Sequence, residues 1–114
     1  MLSVSIFVIT PDGKNNILLL TENDGSLPNF GLDGIALLKE QLLSKVNEFF
    51  QITDSWADFH ALGYIEPPTV LYFGLLVPEA VQINKGSWQP LEMYMPNMKS
   101  EVFARLSRFV LESL

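Results

Sequence analysis

Apolar residues dominate Leu2 to Thr10 and Ile17 to Thr21, and Pro11-Asp12-Gly13-Lys14-Asn15-Asn16 separates the two runs. β-Branched and Leu side chains on either side of turn-forming residues predict a β-hairpin. Glu22 to Asn29 is polar and carries Asp24-Gly25 and Pro28. It predicts a loop leading through Phe30-Gly31-Leu32-Asp33-Gly34 to a helix. Beyond it, Leu38, Leu42, Val46, Phe49 and Phe50 recur at near-helical spacing, while Lys39, Glu40, Ser44 and Asn47 take the other side. An amphipathic helix of about four turns, over residues 35–50, is expected.

Trp56 to Ile65 and Thr69 to Val77 read as two further strands, interrupted by Glu66-Pro67-Pro68. Adjacent prolines cannot donate to a ladder, so a second hairpin or a sheet corner is expected there. A polar stretch follows through Lys85-Gly86-Ser87. From Met98 to Leu114, Val102, Leu106, Phe109 and Val110 then share one face, with Arg105, Ser107, Arg108 and Glu112 largely off it. The chain is expected to end in a helix packed on the sheet. There is no internal repeat, low-complexity segment or linker, so residues 1–114 read as one domain.

A length of 114 residues with 48% hydrophobic content suits a single core. Seven Lys+Arg against thirteen Asp+Glu give a formal charge of -6. That balance removes counterion release as a driving force, so nucleic acid and anionic membrane are not expected partners. A small cationic groove is still compatible with a small anionic ligand. With no cysteine and one histidine, His60, thiolate catalysis and His- or Cys-based metal sites are excluded, and a metal would need carboxylates. The apolar N-terminus lacks a basic region and a cleavage site and meets Pro11-Asp12-Gly13 at once, so it reads as a strand rather than a signal peptide. No apolar run approaches the roughly 20 residues needed to span a bilayer, and a cytoplasmic location is expected.

The order strand, turn, strand, Pro-containing loop, helix, strand pair, Trp, terminal helix resembles a Nudix domain. The signature of that family is G-x5-E-x7-R-E-U-x-E-E-x-G-U, with U a bulky aliphatic residue. Its first Gly usually closes a Pro-Gly-Gly turn. Laid on Pro28-Asn29-Phe30, the signature runs without a gap. Val46 and Ile52 take both bulky aliphatic positions, and Glu48 takes the first Glu of the Glu pair. Phe30 and Gln51 stand for the two glycines, Ala36 for the first Glu, Ser44 for the Arg, Lys45 for the Glu beside it and Phe49 for the last Glu. A competing register, with Gly34 and Glu40 as Gly-x5-Glu, recovers one carboxylate but puts Glu48 at the Arg, Phe49 at the next Glu and Ile52-Thr53 at the Glu pair. Downstream, Leu62-Gly63-Tyr64, Val70-Leu71-Tyr72-Phe73 and Trp88-Gln89-Pro90-Leu91-Glu92 are similar to later Nudix segments.

The resemblance implies an α+β fold: an α/β/α sandwich with a mixed central sheet, one helix after the Pro28 loop and a C-terminal helix. It also implies the function class. Nudix hydrolysis of a diphosphate uses Mg²⁺ on a carboxylate cluster to neutralise charge and activate water. Here one Glu of the signature survives, and Lys45 would oppose a cation by Coulomb repulsion. The expectation is a non-catalytic Nudix-like domain with no metal or other cofactor, binding a nucleotide-like ligand or a protein partner through Lys45, Glu48, Tyr72 and Trp88. The alternatives are a divergent Mg²⁺-dependent hydrolase, with Glu48 as the weak catalytic candidate and Glu40, Glu66 or Glu79 in support, and a structural or oligomerising module.

Each of these residues also has a plainer role. Lys45 and Glu48 sit at i and i+3 of a helix, where an ion pair is worth roughly 0.2–0.5 kcal/mol. His60 has no Ser or Cys motif nearby and reads as a half-buried strand residue rather than a base. Trp56, Tyr64, Tyr72 and Trp88 suit cross-strand packing, with one of the four expected to line a pocket. Asp12 and Asp24, each before a Gly, are turn residues. Phe49-Phe50 and Phe109-Val110-Leu111 exceed what a helix stripe must bury, which suggests an apolar patch for a partner or a second copy of the chain.

Overall fold

The computed structural model describes residues 2–11, 16–32, 38–52, 58–65, 70–94 and 100–113. The first strand, β1 (Ser3–Pro11), organises the sheet because both of its faces are buried. Val4, Ile6 and Val8 point to one side, Phe7 and Ile9 to the other, and all five are fully inaccessible. That placement explains why its sequence is a nearly continuous apolar run rather than an alternating one. Along one edge β1 pairs in parallel with β5 (Val70–Leu76), from Ser3↔Val70 to Ile9↔Leu76. Its other edge is shared. The short β3 (Asn29–Gly31) pairs with Ser3 to Ser5, and β2 (Ile17–Thr21) pairs antiparallel with Ile9 to Pro11.

The predicted hairpin is therefore present, although its turn at 12–15 lies outside the described residues. The second hairpin is present too: β4 (His60–Ile65) runs antiparallel to β5, with a bulge between Ala61 and Gly63. β4 begins four residues later than the expected start at Trp56. Asp58 and Phe59 precede it without strand pairing, and Trp56 and Glu66 are outside the described residues. Beyond β2 lies β6 (Ser87–Pro90), giving the order β4-β5-β1-β2-β6.

Among the described residues there are three helices: α1 (Leu38–Asn47), the one-turn α2 (Leu91–Tyr94) and α3 (Ser100–Ser113). α1 buries Leu42 and Val46 against Val4, Ile6, Val8, Phe73 and Leu75. On the opposite face α3 buries Val102, Leu106 and Phe109 against Phe7, Ile9 and Leu19. Each such side chain contributes about 1.5–3 kcal/mol relative to exposure. The architecture is thus a mixed sheet between helices, as expected. Gly74 of β5 leaves the notch into which the Phe109 ring fits, since a Cβ there would come within 2.6 Å of the ring.

The expected apolar patch is corrected at three of its members. Phe49, Phe50 and Phe109 are buried, because the end of α1 folds inward and Gly74 admits Phe109. Leu111 does remain outside, at 81% exposure. Among the described residues no helix is long and apolar enough to cross a membrane.

Candidate functional site

The last turn of α1 tightens before the helix stops. Glu48 N–H donates to the Lys45 carbonyl at 3.2 Å and Phe49 N–H to the Val46 carbonyl at 2.9 Å, both i to i+3 bonds. Asn47 then accepts the Ile52 N–H on its side-chain oxygen at 3.1 Å, tying the chain that leaves α1 back to the helix end. The result drives Phe49 into the core and leaves Glu48 at the surface, side by side with Lys45. The segment before β6 closes over this end, with the Asn84 N–H donating to the Phe49 carbonyl at 2.6 Å. Gly86 makes the approach feasible. Its φ is 72°, and a Cβ would collide with the Thr21 carbonyl and the Phe49 ring.

These contacts bring four charged side chains together. Lys85 Nζ lies 2.9 Å from Glu48 Oε1 and 3.5 Å from Glu22 Oε1. Lys45 Nζ lies 3.3 Å from the same Glu48 oxygen and 3.8 Å from Glu22 Oε2. Each ammonium therefore touches both carboxylates. Both also sit over the Phe49 ring, Lys85 at 4.7 Å and Lys45 at 5.8 Å from its centroid, adding cation–π attraction. The Lys85 hydrogen bond, reinforced by Lys45, holds the Glu48 carboxyl below its ordinary value, while the hydrogen bond to Glu48 raises Lys85.

Of the residues expected to form a site, Lys45 and Glu48 are thus together. Trp88 lies on the same side of the sheet, but its ring stacks on Phe50 at 6.4 Å and its Nε1–H donates to the Val81 carbonyl at 3.0 Å. Tyr72 faces the opposite side, stacked on Phe7 at 5.5 Å, and burial raises its phenol. Glu40 and Glu79 are exposed. His60 is on a strand and about half-buried, as expected, with its side chain 53% exposed and 3.5 Å from Asp58. Its ring also meets Phe109 at 5.5 Å. Asp24 is the turn residue it was read as, accepting both the N–H and the Oγ–H of Ser26.

Glu22 and Lys85 are the members the sequence alone did not single out. They lie 63 positions apart and meet because Thr21 pairs with Ser87, which places Glu22 beside Gly86. The only local signal was Lys85-Gly86 itself, a charged residue before a glycine in a polar stretch.

Cavities adjoin the sheet on both sides. Between α1 and the strands, Leu38, Lys39, Leu42, Asp58, Phe59 and Phe73 enclose about 210 Å³. On the other side, β4 and α3 border a cleft of about 790 Å³ that carries Gly63, Arg105, Arg108 and Phe109. There the Arg105 guanidinium donates to the Leu62 carbonyl and occupies the space above Gly63, whose φ of 92° suits a residue without a side chain.

The residues around Glu48 do not fit Mg²⁺. An octahedral ion needs several oxygen donors with free lone pairs, and here two ammonium groups already engage both carboxylates. Among the described residues no group of three or more His, Asp or Glu side chains is placed to hold a metal.

No model of a known protein family matches the sequence, and no curated protein matches it. Solved structures do match. The chain superposes on the NUDIX domain of Shewanella oneidensis NrtR, solved with ADP ribose, with a TM-score of 0.66 at 12% identity, covering 96% of this chain and 88% of that one. It superposes on the C-terminal domain of mouse MUTYH, solved in complex with human PCNA, with a TM-score of 0.68 at 16% identity, covering 95% and 88%. A Caenorhabditis elegans Ap4A hydrolase matches with a TM-score of 0.56 at 17% identity over 96% of both chains. With a mixed sheet between helices shared across nearly its whole length, the chain has a Nudix-like fold.

Proposed function

We propose that residues 1–114 form a non-catalytic Nudix-like domain that binds a small nucleotide-like ligand without a metal cofactor. The observation that carries the reading is the pairing of Glu48 with Lys85 at 2.9 Å and Lys45 at 3.3 Å. A carboxylate held by two ammonium groups has its lone pairs engaged and is a poor general base or metal ligand.

The ligand class is supported by volume and by two arginines, Arg105 and Arg108, in a cleft that Glu101 and Glu112 also line. Small-molecule sites commonly occupy about 300–1,000 Å³. The cleft between β4 and α3 falls in that range at about 790 Å³, and the cavity beside α1, at about 210 Å³, does not. Arg105 keeps donors beyond the one given to Leu62, and a guanidinium fork suits phosphate. Arg108 pairs with Glu112 at 3.0 Å in an exposed ion pair, a weak interaction that an anionic ligand can displace. The similarity to a NUDIX domain solved with ADP ribose agrees with this class. Lys45, Glu48 and Trp88 have partners within the chain.

A protein partner is the second reading. It is favoured by the outer face of α3, where Phe103 is 39% and Leu111 81% exposed, and by the similarity to a domain solved in complex with PCNA.

The test has two arms. Incubation with nucleoside diphosphate derivatives and Mg²⁺ or Mn²⁺ is expected to give no turnover, and turnover abolished by Glu48→Gln would overturn the proposal. Calorimetry with ADP-ribose and mononucleotides is expected to show binding that survives EDTA and is lost in Arg105→Ala/Arg108→Ala. Binding of none of them would remove the ligand reading and leave the partner reading.

A further inference from the structure

We propose that Lys45 and Lys85 together replace a divalent cation: their two ammonium groups bridge Glu22 and Glu48 as a single bound ion would. The inference rests on the non-catalytic reading but reaches further, since it assigns the two lysines a positive role.

Four observations support it. First, the bridging is complete, because each ammonium lies within 4 Å of both carboxylates. In an ordinary surface ion pair one cation meets one anion; here two anions from separate elements are joined through shared cations. Second, the charges match. Two carboxylates carry the charge that one divalent ion neutralises, and two ammonium groups supply the same amount. Third, the elements joined are distant in sequence. Glu22 follows β2, Lys45 and Glu48 lie at the end of α1, and Lys85 precedes β6. A cation bridging Glu22 and Glu48 would make the same junction. Fourth, Lys45 is seated rather than trailing in solvent, and Lys85 is partly covered at 38% exposure. The Phe49 ring lies beneath both nitrogens, and the Lys45 side chain is only 14% exposed.

Chemistry gives the arrangement a direct consequence. Mg²⁺ is commonly held by one or two protein carboxylates together with several waters and substrate phosphates. Glu22 and Glu48 would therefore form a minimal divalent site if the ammonium groups were removed. The intact protein has no such vacancy, because a cation approaching the pair meets two positive charges.

The experiment compares the protein with Lys45→Gln/Lys85→Gln by thermal unfolding in EDTA and in millimolar Mn²⁺, at matched ionic strength. The expected result is an unchanged Tm for the native protein, a lower Tm for the double variant in EDTA, and recovery of several degrees when Mn²⁺ is added. Adding Glu48→Gln to the double variant is expected to abolish that recovery. Lys85→Gln alone removes the more exposed lysine and keeps the seated one, so it serves if the double variant does not fold; a smaller Mn²⁺ response is expected from it. The proposal is overturned if the native protein responds to Mn²⁺ as strongly as the variants. It is equally overturned if folded variants show no response. Failure of the folded variants to respond leaves the metal-free reading standing, whereas a native response to Mn²⁺ counts against both; ligand binding in the α3 cleft and turnover are read separately by the calorimetric and activity measurements.

Discussion

Replacing Phe49 by Ala separates a core position from a surface patch. The Phe49 side chain is wholly inaccessible. It packs in the cluster that contains Val4, Ile6, Val8 and Leu20 and supports the two ammonium groups above it. Truncation removes a buried ring and opens a cavity that neighbouring strands can only partly fill, a change that costs about 3–5 kcal/mol. Against a total stability on the order of 5–15 kcal/mol, that is a large fraction. At several degrees per kcal/mol for domains of this size, Tm should fall by roughly 10–25 °C. Urea denaturation followed by circular dichroism gives the free energy directly, and Leu111→Ala, at a position 81% exposed, is the control. The control should stay within about 0.5 kcal/mol of the native protein. A loss below about 1 kcal/mol for Phe49→Ala would refute the packing argument and restore Phe49 to a partner-binding surface.

Gly74→Val should displace α3, since even a Cβ at Gly74 meets the Phe109 ring; overpacking of about 1–3 kcal/mol is expected in denaturant melts. Gly86→Ala combines a positive φ with a collision against the Thr21 carbonyl. It should lower stability by at least about 1–2 kcal/mol and weaken the Lys85–Glu48 contact, visible as a loss of the Glu48 titration shift by NMR. Acid sensitivity provides a further check. The Glu48 carboxyl titrates below its ordinary 4.5 in the folded state, so its stabilisation is present above that value and is lost as pH falls through the folded pKa. Lys85→Met removes the main cause of the shift and should flatten the fall in stability between about pH 5 and pH 3.

How much of this was legible in the sequence depended on the range of the interaction. The hairpins and the two long helices came from local periodicity, because Val102, Leu106 and Phe109, or Leu42 and Val46, need only helical spacing to share a face. The strand β6 was not legible, since Ser87 to Pro90 is short, half-buried and contains a proline. β3 was hidden for the same reason: three residues within a polar loop carry no usable period. The fold itself was recognisable from element order and from Val46, Glu48 and Ile52 in register.

The candidate site was only half legible. Lys45 and Glu48 are neighbours on one helix, so their pairing follows from sequence spacing. Glu22 and Lys85 join them through the β2–β6 register, which no local pattern encodes. Tyr72 and Trp88 were grouped with them as aromatic candidates. Strand alternation sends Tyr72 to the face covered by α3, while Trp88 lies among the residues packed on the α1 side.

The most direct measurement of the central claim is a crystal structure from crystals grown in Mn²⁺, with anomalous scattering used to locate the ion. The account predicts no Mn²⁺ between Glu22 and Glu48, with Lys85 Nζ within hydrogen-bonding distance of Glu48. An anomalous peak about 2.0–2.2 Å from a Glu48 carboxylate oxygen, with the lysines swung away, would contradict it.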